Sequence, residues 1–287
     1  MSAPLVVIDT NVWLDYFDPT SRTAEADRQL LRRAKKNGLV RPLLTAPISA
    51  ELMRTCARDG FERYAAMMRF AWNMCGARVL ATDDDREEAE LRHRRKLSRR
   101  EGEALMTLDR RRGFRDEHML DEEHALKIAQ VVAQTHVDHA PLERAQRDNT
   151  IRELDEKQSG WRDVMLASVE QREELMASWA RDEMVTLATK LGLPAEEGSL
   201  PDPRKLPSFY IPKVVHVTHL HGVLLTGRSP TATDLYDRTA LRDAAAYADM
   251  LVTTDDQLTK LAGRTTLPLR VLDYAAWNAE LRRLVGS

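Results

Sequence analysis

The first hydrophobic run of the chain is short, and it ends in a group of polar residues. Leu5-Val6-Val7-Ile8 is apolar and rich in β-branched side chains, and Asp9-Thr10-Asn11 follows it directly. A short run that is apolar on both faces predicts a strand inside a parallel sheet covered by helices. Ligands of open α/β sheets bind beyond the carboxyl ends of the strands, which is where this pattern places Asp9.

Helices and a second strand are predicted over the rest of the N-terminal quarter. Helical patterns begin after Asn11, cover 23–36, extend from residue 47 or 49 to about 57, and cover 61–74. Residues 39–45 predict a strand that is weakened by Pro42. Glu51 would then lie in the first turn of the helix that follows this strand.

The pattern changes between residue 76 and about residue 226. Apart from 78–80, strand patterns are few, and amphipathic helical spacing is found over 83–112, 121–134 and 142–191. A proline-containing loop over 194–207 precedes an apolar stretch at 209–225. We therefore expect 76–226 to form a helical insertion or subdomain.

Alternating elements return in the last sixty residues. The sequence predicts a helix from about 232 to 247, a buried strand over 250–253, a short helix, a strand over 267–272 and a closing helix. Strands and helices that alternate at both ends of the chain predict one α/β fold, a parallel sheet sandwiched by helices. Residues 1–75 and 227–287 would form this discontinuous core, and the long helical segment would interrupt it.

Composition limits the compartment and the partners. A net charge of −2 gives no overall basicity, so a nucleic-acid partner would have to bind a local patch. The two cysteines, Cys56 and Cys75, have neither the number nor the spacing of a disulfide framework or a zinc site. The sequence has no pattern of a signal peptide and no apolar run of about 20 residues, so we expect a cytoplasmic protein without membrane contact.

Carboxylates follow several of the predicted strands. Asp9 and Asp255 lie at the ends of two strands, and Glu51 follows a third. Asp237 lies in the helix before the Asp255 strand, with Asp234 one turn earlier. Carboxylates gathered at one edge of a parallel sheet repel one another, and their pKa values rise unless a cation neutralises them. Mg²⁺ or Mn²⁺ suits such oxygen ligands, and these ions activate water for attack on phosphodiesters.

Four motifs in this order resemble those of PIN-domain nucleases. They are VIDTN at 7–11, ISAEL at 48–52, DLYD at 234–237 and ADMLVTTD at 248–255. The resemblance covers 1–75 and 227–287 but not the segment between them. It implies a PIN-like fold and a metal-dependent endonuclease, most often an endoribonuclease, whose water attack leaves 5′-phosphate and 3′-hydroxyl ends.

The resemblance also implies roles for individual residues. The catalytic, metal-binding acidic quartet would be Asp9, Glu51, Asp237 and Asp255. Asp234 would be a fifth ligand or a substitute for Asp237. The polar positions that would orient ligands or water are Thr10, Asn11 and Thr253. The simpler alternatives are helix capping for Asp9 and Asp234, compensation of the helix dipole for Glu51, and an ordinary strand residue for Thr253.

Two groups of arginines are candidates for binding nucleic acid. Arg92, Arg95 and Arg99 belong to a dense basic run, and Arg228 and Arg238 flank the third acidic motif. Basic residues that project from a helix can follow a phosphate backbone. Acidic residues are interleaved with them, so a solvated helix face balanced by those acids is the alternative.

Three functions remain open from the sequence. The preferred one is cleavage of RNA, with single-stranded DNA as an alternative substrate. A non-catalytic PIN-like module could instead bind RNA or a regulatory protein through 76–226, which we expect to form a helical cap beside the acidic edge. A haloacid-dehalogenase-like phosphatase would need a second aspartate at position 11, where this chain has Asn11. The oligomeric state is open, and a dimer is one option.

Overall fold

The structure is a computed structural model that describes most of both ends of the chain and part of its middle. The described residues are 3–76, 80, 83–98, 101–102, 121–127, 129–130, 168–196, 198–226 and 233–286. The parts of the predicted elements at 78–79, 103–112, 131–134 and 142–167 lie outside them.

Four parallel strands form one sheet with the order β2-β1-β3-β4. The strands are β1 (Leu5–Ile8), β2 (Arg41–Leu43), β3 (Met250–Val252) and β4 (Arg270–Leu272). In this register Val7 pairs with Leu43 on one side and with Leu251 on the other. The predicted α/β class with a parallel sheet is therefore confirmed, and β1 lies between strands from opposite ends of the sequence.

Helices connect the strands and pack against them. The N-terminal helices are α1 (Thr10–Asp15), α2 (Ala24–Lys36), α3 (Ala46–Asp59), α4 (Phe61–Cys75) and α5 (Asp83–His93). The later helices are α6 (Val169–Lys190), α7 (Pro207–Thr226), α8 (Thr233–Tyr247), α9 (Asp256–Gly263) and α10 (Tyr274–Gly286). Within the described ranges, no helix combines the length and the apolar character that crossing a membrane requires.

Three boundaries differ from the sequence predictions, and each difference has a physical reason. Pro42 lies inside β2, where its missing N–H is tolerated because β2 ends the sheet order among the described strands. The predicted helix over 83–112 stops at His93, and Arg94 follows with a left-handed φ of 57°. The α6 helix starts after Ser168, whose side chain forms a capping box with Gln171.

The main core collects side chains from both ends of the chain and from the predicted insertion. Trp13 and Trp277 are fully buried in it, and Ile211 and Val215 of α7 belong to the same cluster. The Trp277 indole N–H donates to the Tyr16 hydroxyl at 2.9 Å, whereas the buried indole N–H of Trp13 has no hydrogen-bond partner among the described residues. Part of the predicted insertion thus packs into the main core, and its boundary as a separate domain stays a prediction.

A buried polar network attaches α5 to the core. Arg86 of α5 pairs with Asp243 of α8 at 2.9 Å, and both side chains are less than a tenth exposed. Glu90, one turn further along α5, accepts hydrogen bonds from the Tyr247 hydroxyl at 2.7 Å and from the backbone N–H of Ser208 at 2.9 Å. Burial raises the pKa of Glu90, although these hydrogen bonds oppose the rise. The network therefore links α5, α7 and α8.

Candidate functional site

Asp9 lies where the central strand passes into the first helix. Its backbone N–H donates to Val252 O at 2.9 Å, which continues the pairing of β1 with β3. The Oδ1 atom accepts from the backbone N–H of Thr10 at 2.8 Å, and Oδ2 accepts from the Thr253 hydroxyl at 2.7 Å. Asp9 is therefore the N-cap of α1, as the simpler alternative expected, and it is also anchored to the strand beside it.

The environment of Asp9 disfavours its charged form. Burial raises the pKa of this carboxyl to about 6, against the two hydrogen bonds from Thr253 and Thr10, and the negative charges of Glu51 and Asp255 raise it further. Asp9 is only 8% exposed to solvent. A cation placed beside these groups would relieve the repulsion among them.

Glu51 is positioned by α3 and by a hydroxyl from α1. The Thr45 hydroxyl caps α3 by accepting from Ile48 N–H at 3.4 Å, and the helix begins at Ala46. Glu51 consequently lies in the second turn rather than the predicted first turn. The effect of the helix dipole is weaker in the second turn than in the first. Its Oε2 accepts a short hydrogen bond from the Thr10 hydroxyl, which holds the carboxylate near Asp9.

Thr253 connects the two carboxylates that follow β1 and β3. Its hydroxyl donates to Asp9, and the hydroxyl oxygen accepts from the backbone N–H of Asp255 at 3.0 Å. Asp255 in turn caps α9, because its Oδ1 accepts from Gln257 N–H at 2.6 Å and from Leu258 N–H at 2.9 Å. Thr253 is fully buried, so its hydroxyl supports Asp9 and Asp255 from inside the protein and does not face solvent.

A cavity of about 280 Å³ lies between these elements, and its lining includes acidic, basic and uncharged side chains. Its acidic lining comes from Asp9, Glu51 and Asp255, and its basic lining from Arg54 and Arg58. The remaining lining residues are Thr10, Asn11, Leu14, Ile48, Thr55, Ala240 and Leu258. Three of the four predicted quartet members and the polar positions Thr10 and Asn11 thus share one cavity.

The third acidic motif can be placed only by its backbone. Asp234 and Asp237 lie in α8, and their side chains are outside the described part of the structure. Asp237 precedes Ala240 by three residues, close to one helical turn, and Ala240 lines the cavity. The predicted role of Asp237 as a ligand therefore stays a prediction, and so does the role of Asp234.

The arginines predicted to bind nucleic acid have different surroundings. Arg92 pairs with Glu88 at 2.8 Å and Arg95 with Glu101 at 2.7 Å, all on exposed surface, as the solvated-face alternative expects. The Nη1 atom of Arg238 lies 3.0 Å from His216 Nδ1. Burial, with a smaller contribution from Arg238, lowers the pKa of His216 to about 4, so this ring is neutral and accepts the hydrogen bond. Arg99 and Arg228 lie outside the described residues.

Three lining residues of α3 were not singled out from the sequence. Arg54, Thr55 and Arg58 follow Glu51 by three, four and seven positions, which places them on one face of a helix. This spacing is visible in the sequence once Glu51 is taken as a site residue. The Thr55 hydroxyl donates to Leu52 O at 2.6 Å, so its proton is engaged within the helix. The two arginines are therefore the side chains of this face that can donate hydrogen bonds to a ligand.

The donor atoms suit a divalent ion of the magnesium type, although the described side chains do not form a full ligand set. In the part of the chain with described side chains, no group of three or more His, Cys, Asp or Glu residues is arranged to hold a metal ion. Mg²⁺ commonly uses only one or two carboxylates and completes its shell with water and substrate phosphate. The raised pKa of Asp9 fits such a site, and so does the presence of the carboxylates of Glu51 and Asp255 in the same cavity.

Comparisons with known proteins do not assign the chain to a family. No family model, no curated protein and no solved structure matches it. The functional inference therefore depends on the residues of the cavity.

Proposed function

We propose that the chain is a PIN-like, metal-dependent endonuclease that hydrolyses RNA, with single-stranded DNA as a second substrate. The observation that supports this most is the position of Asp9, a buried carboxyl at the carboxyl end of the central parallel strand with a pKa raised to about 6. It shares an open cavity with Glu51 and Asp255. The order of the four sequence motifs adds to this support.

The acidic residues and the two threonines that hydrogen-bond to them have defined parts in the proposal. Asp9 and Asp255 would hold Mg²⁺ or Mn²⁺, and Asp237 would be the third ligand. When bound, the ion supplies charge neutralisation at the phosphate and lowers the pKa of its water. Thr253 keeps Asp9 in one orientation, and Thr10 holds Glu51 beside it, where Glu51 can accept a proton from the attacking water.

Cleavage by the full chain tests this proposal. A labelled single-stranded RNA and its DNA counterpart are incubated with Mn²⁺, and the product ends are identified by gel mobility and phosphatase sensitivity. We expect 5′-phosphate ends and a loss of at least about 100-fold in rate for Asp9→Asn and Asp255→Asn, since even outer-shell partners of metals contribute about 10- to 100-fold.

The matched control is Asp256→Asn, because Asp256 is the exposed residue beside Asp255 and does not line the cavity. It should retain the parent's rate. The nuclease proposal fails if the parent cleaves neither RNA nor DNA and Asp9→Asn binds Mn²⁺, measured by electron paramagnetic resonance, as tightly as the parent. Binding of RNA without cleavage would instead favour the non-catalytic PIN-like module.

A further inference from the structure

The cavity contains positive charge as well as negative charge, and the positive charge comes from one helix. Arg54 and Arg58 of α3 line the same space as the three carboxylates. Glu51 of the same helix is hydrogen-bonded by Thr10. A polyanion that approaches an acidic cavity is repelled unless a cation meets it, and the guanidinium group matches the geometry of phosphate oxygens.

The two arginines differ in what occupies their guanidinium groups. In Arg58, Nε and Nη2 donate to the two carboxylate oxygens of Asp59 at 2.8 and 3.0 Å, so both of these donors are engaged within the protein. Arg54 is exposed, and among the described residues no acidic side chain lies within ion-pair distance of it. With respect to the described side chains, Arg54 is therefore the cation of this wall that can bind a ligand without first giving up an ion pair.

We propose that Arg54 binds a backbone phosphate of single-stranded RNA next to the phosphate at the acidic residues, and so positions the strand across the cavity. This inference rests on the proposed nuclease function. The apolar side chains of Leu14, Ala240 and Leu258 line the same cavity and offer a surface for the sugar of the bound nucleotide. Arg54 is thus a positioning residue that sets affinity for the polyanion and leaves the metal ligands unchanged.

The test measures RNA binding apart from cleavage. A fluorescent oligouridylate is titrated with the full chain in Ca²⁺, and the anisotropy is recorded over a series of NaCl concentrations. For Arg54→Gln we expect affinity to fall by about 10-fold or more, as for one lost hydrogen bond to a charged group. The slope of log K against log salt should shrink by about 0.7, the value for one phosphate contact on a single strand.

Two further variants test whether RNA affinity depends on the position of Arg54 in the cavity or only on its positive charge. Arg33→Gln removes an exposed arginine of α2 that does not line the cavity, and it should bind like the parent. Arg54→Lys should keep the salt slope and lose part of the affinity, because lysine preserves the charge but not the two-pronged geometry. Thermal unfolding and Mn²⁺ affinity should be equal in all variants, since Arg54 is exposed.

The outcomes distinguish this inference from the nuclease function. A parent that cleaves RNA while Arg54→Gln binds as tightly as the parent overturns the role of Arg54 and leaves the nuclease function in place. An equal loss in Arg33→Gln also overturns it. Weakened binding by Arg54→Gln in a parent that never cleaves supports the phosphate site and overturns the nuclease function. A parent that neither binds nor cleaves overturns both.

Discussion

Asp9→Asn should stabilise the metal-free fold at neutral pH, although it removes the central carboxylate. The parent carries a buried negative charge there, beside Glu51 and Asp255, whereas the amide is neutral and remains a good N-cap for α1. The rise in the Asp9 pKa from 3.8 to about 6 corresponds to about 3 kcal/mol at 1.36 kcal/mol per pKa unit. The amide has one acceptor oxygen for two donors, which costs about 1 kcal/mol, so we expect a net gain of about 2 kcal/mol.

The stability difference between Asp9→Asn and the parent should depend on pH. The pKa of Asp9 is higher in the folded state than in the unfolded state, so between about pH 4 and pH 6 the folded state binds more protons. The contribution of protonated Asp9 to the parent's stability is complete below about pH 4 and is lost as the pH rises through about 6. The advantage of the asparagine variant should therefore be largest above pH 6 and disappear towards pH 4.

Urea unfolding followed by tryptophan fluorescence measures these differences. Parent, Asp9→Asn and the exposed control Asp256→Asn are compared at pH 4.5 and pH 7.5 in EDTA, and again in Mn²⁺ at pH 7.5. Mn²⁺ should stabilise the parent and the control more than Asp9→Asn, since a ligand stabilises only the state that binds it. An Asp9→Asn variant that is less stable than the parent at pH 7.5 in EDTA would refute the reasoning.

Two pairs of variants test the contacts around the site and the network of α5. Thr253→Val keeps the side-chain shape but removes the hydroxyl that donates to Asp9, so we expect urea unfolding to show a loss of about 1 to 2 kcal/mol. Thr253→Ser keeps the hydroxyl and should be the milder change, and a reversed order would contradict the assigned role. Arg86→Met should lower the free energy of unfolding by about 3 kcal/mol, because it leaves the buried carboxylate of Asp243 without its main partner. This is the lower end of the range for a broken buried pair, since Arg242 Nε still lies 3.6 Å from Asp243. The double variant Arg86→Met/Asp243→Leu should recover part of this loss, and an equal or larger loss would argue against a buried charge as the cause.

Local patterns in the sequence predict the strand ends and offer the helix cap at Asp9 as the simpler alternative. The apolar run before Asp9 and the one before Asp255 both form strands of the sheet, and both aspartates begin the helices that follow. These features depend on neighbours within a few residues. The exact span of β2 was not predictable in the same way, because Pro42 is tolerated only at the edge of a sheet and the strand order is a tertiary property.

The connections within the site depend on residues far apart in the chain. The hydrogen bond from Thr10 to Glu51 spans 41 positions, and the one from Thr253 to Asp9 spans 244. No local pattern specifies such pairs, although the resemblance of the four motifs named the participants. Arg54 was missed for a related reason, since an arginine among the many of this chain becomes notable only when it lines the same cavity as the carboxylates.

The sheet order also determines when the protein can fold during its own synthesis. The β1 strand pairs with β3, and the donor of the Asp9 hydrogen bond, Thr253, leaves the ribosome 244 residues later. At about 5 to 20 residues per second, this interval lasts about 12 to 49 s. Throughout that time β1 lacks one of its two partners and Asp9 lacks its threonine. A nascent chain therefore cannot assemble the acidic cavity until β3 has emerged, which delays any activity of the cavity until Thr253 and Asp255 have been synthesised.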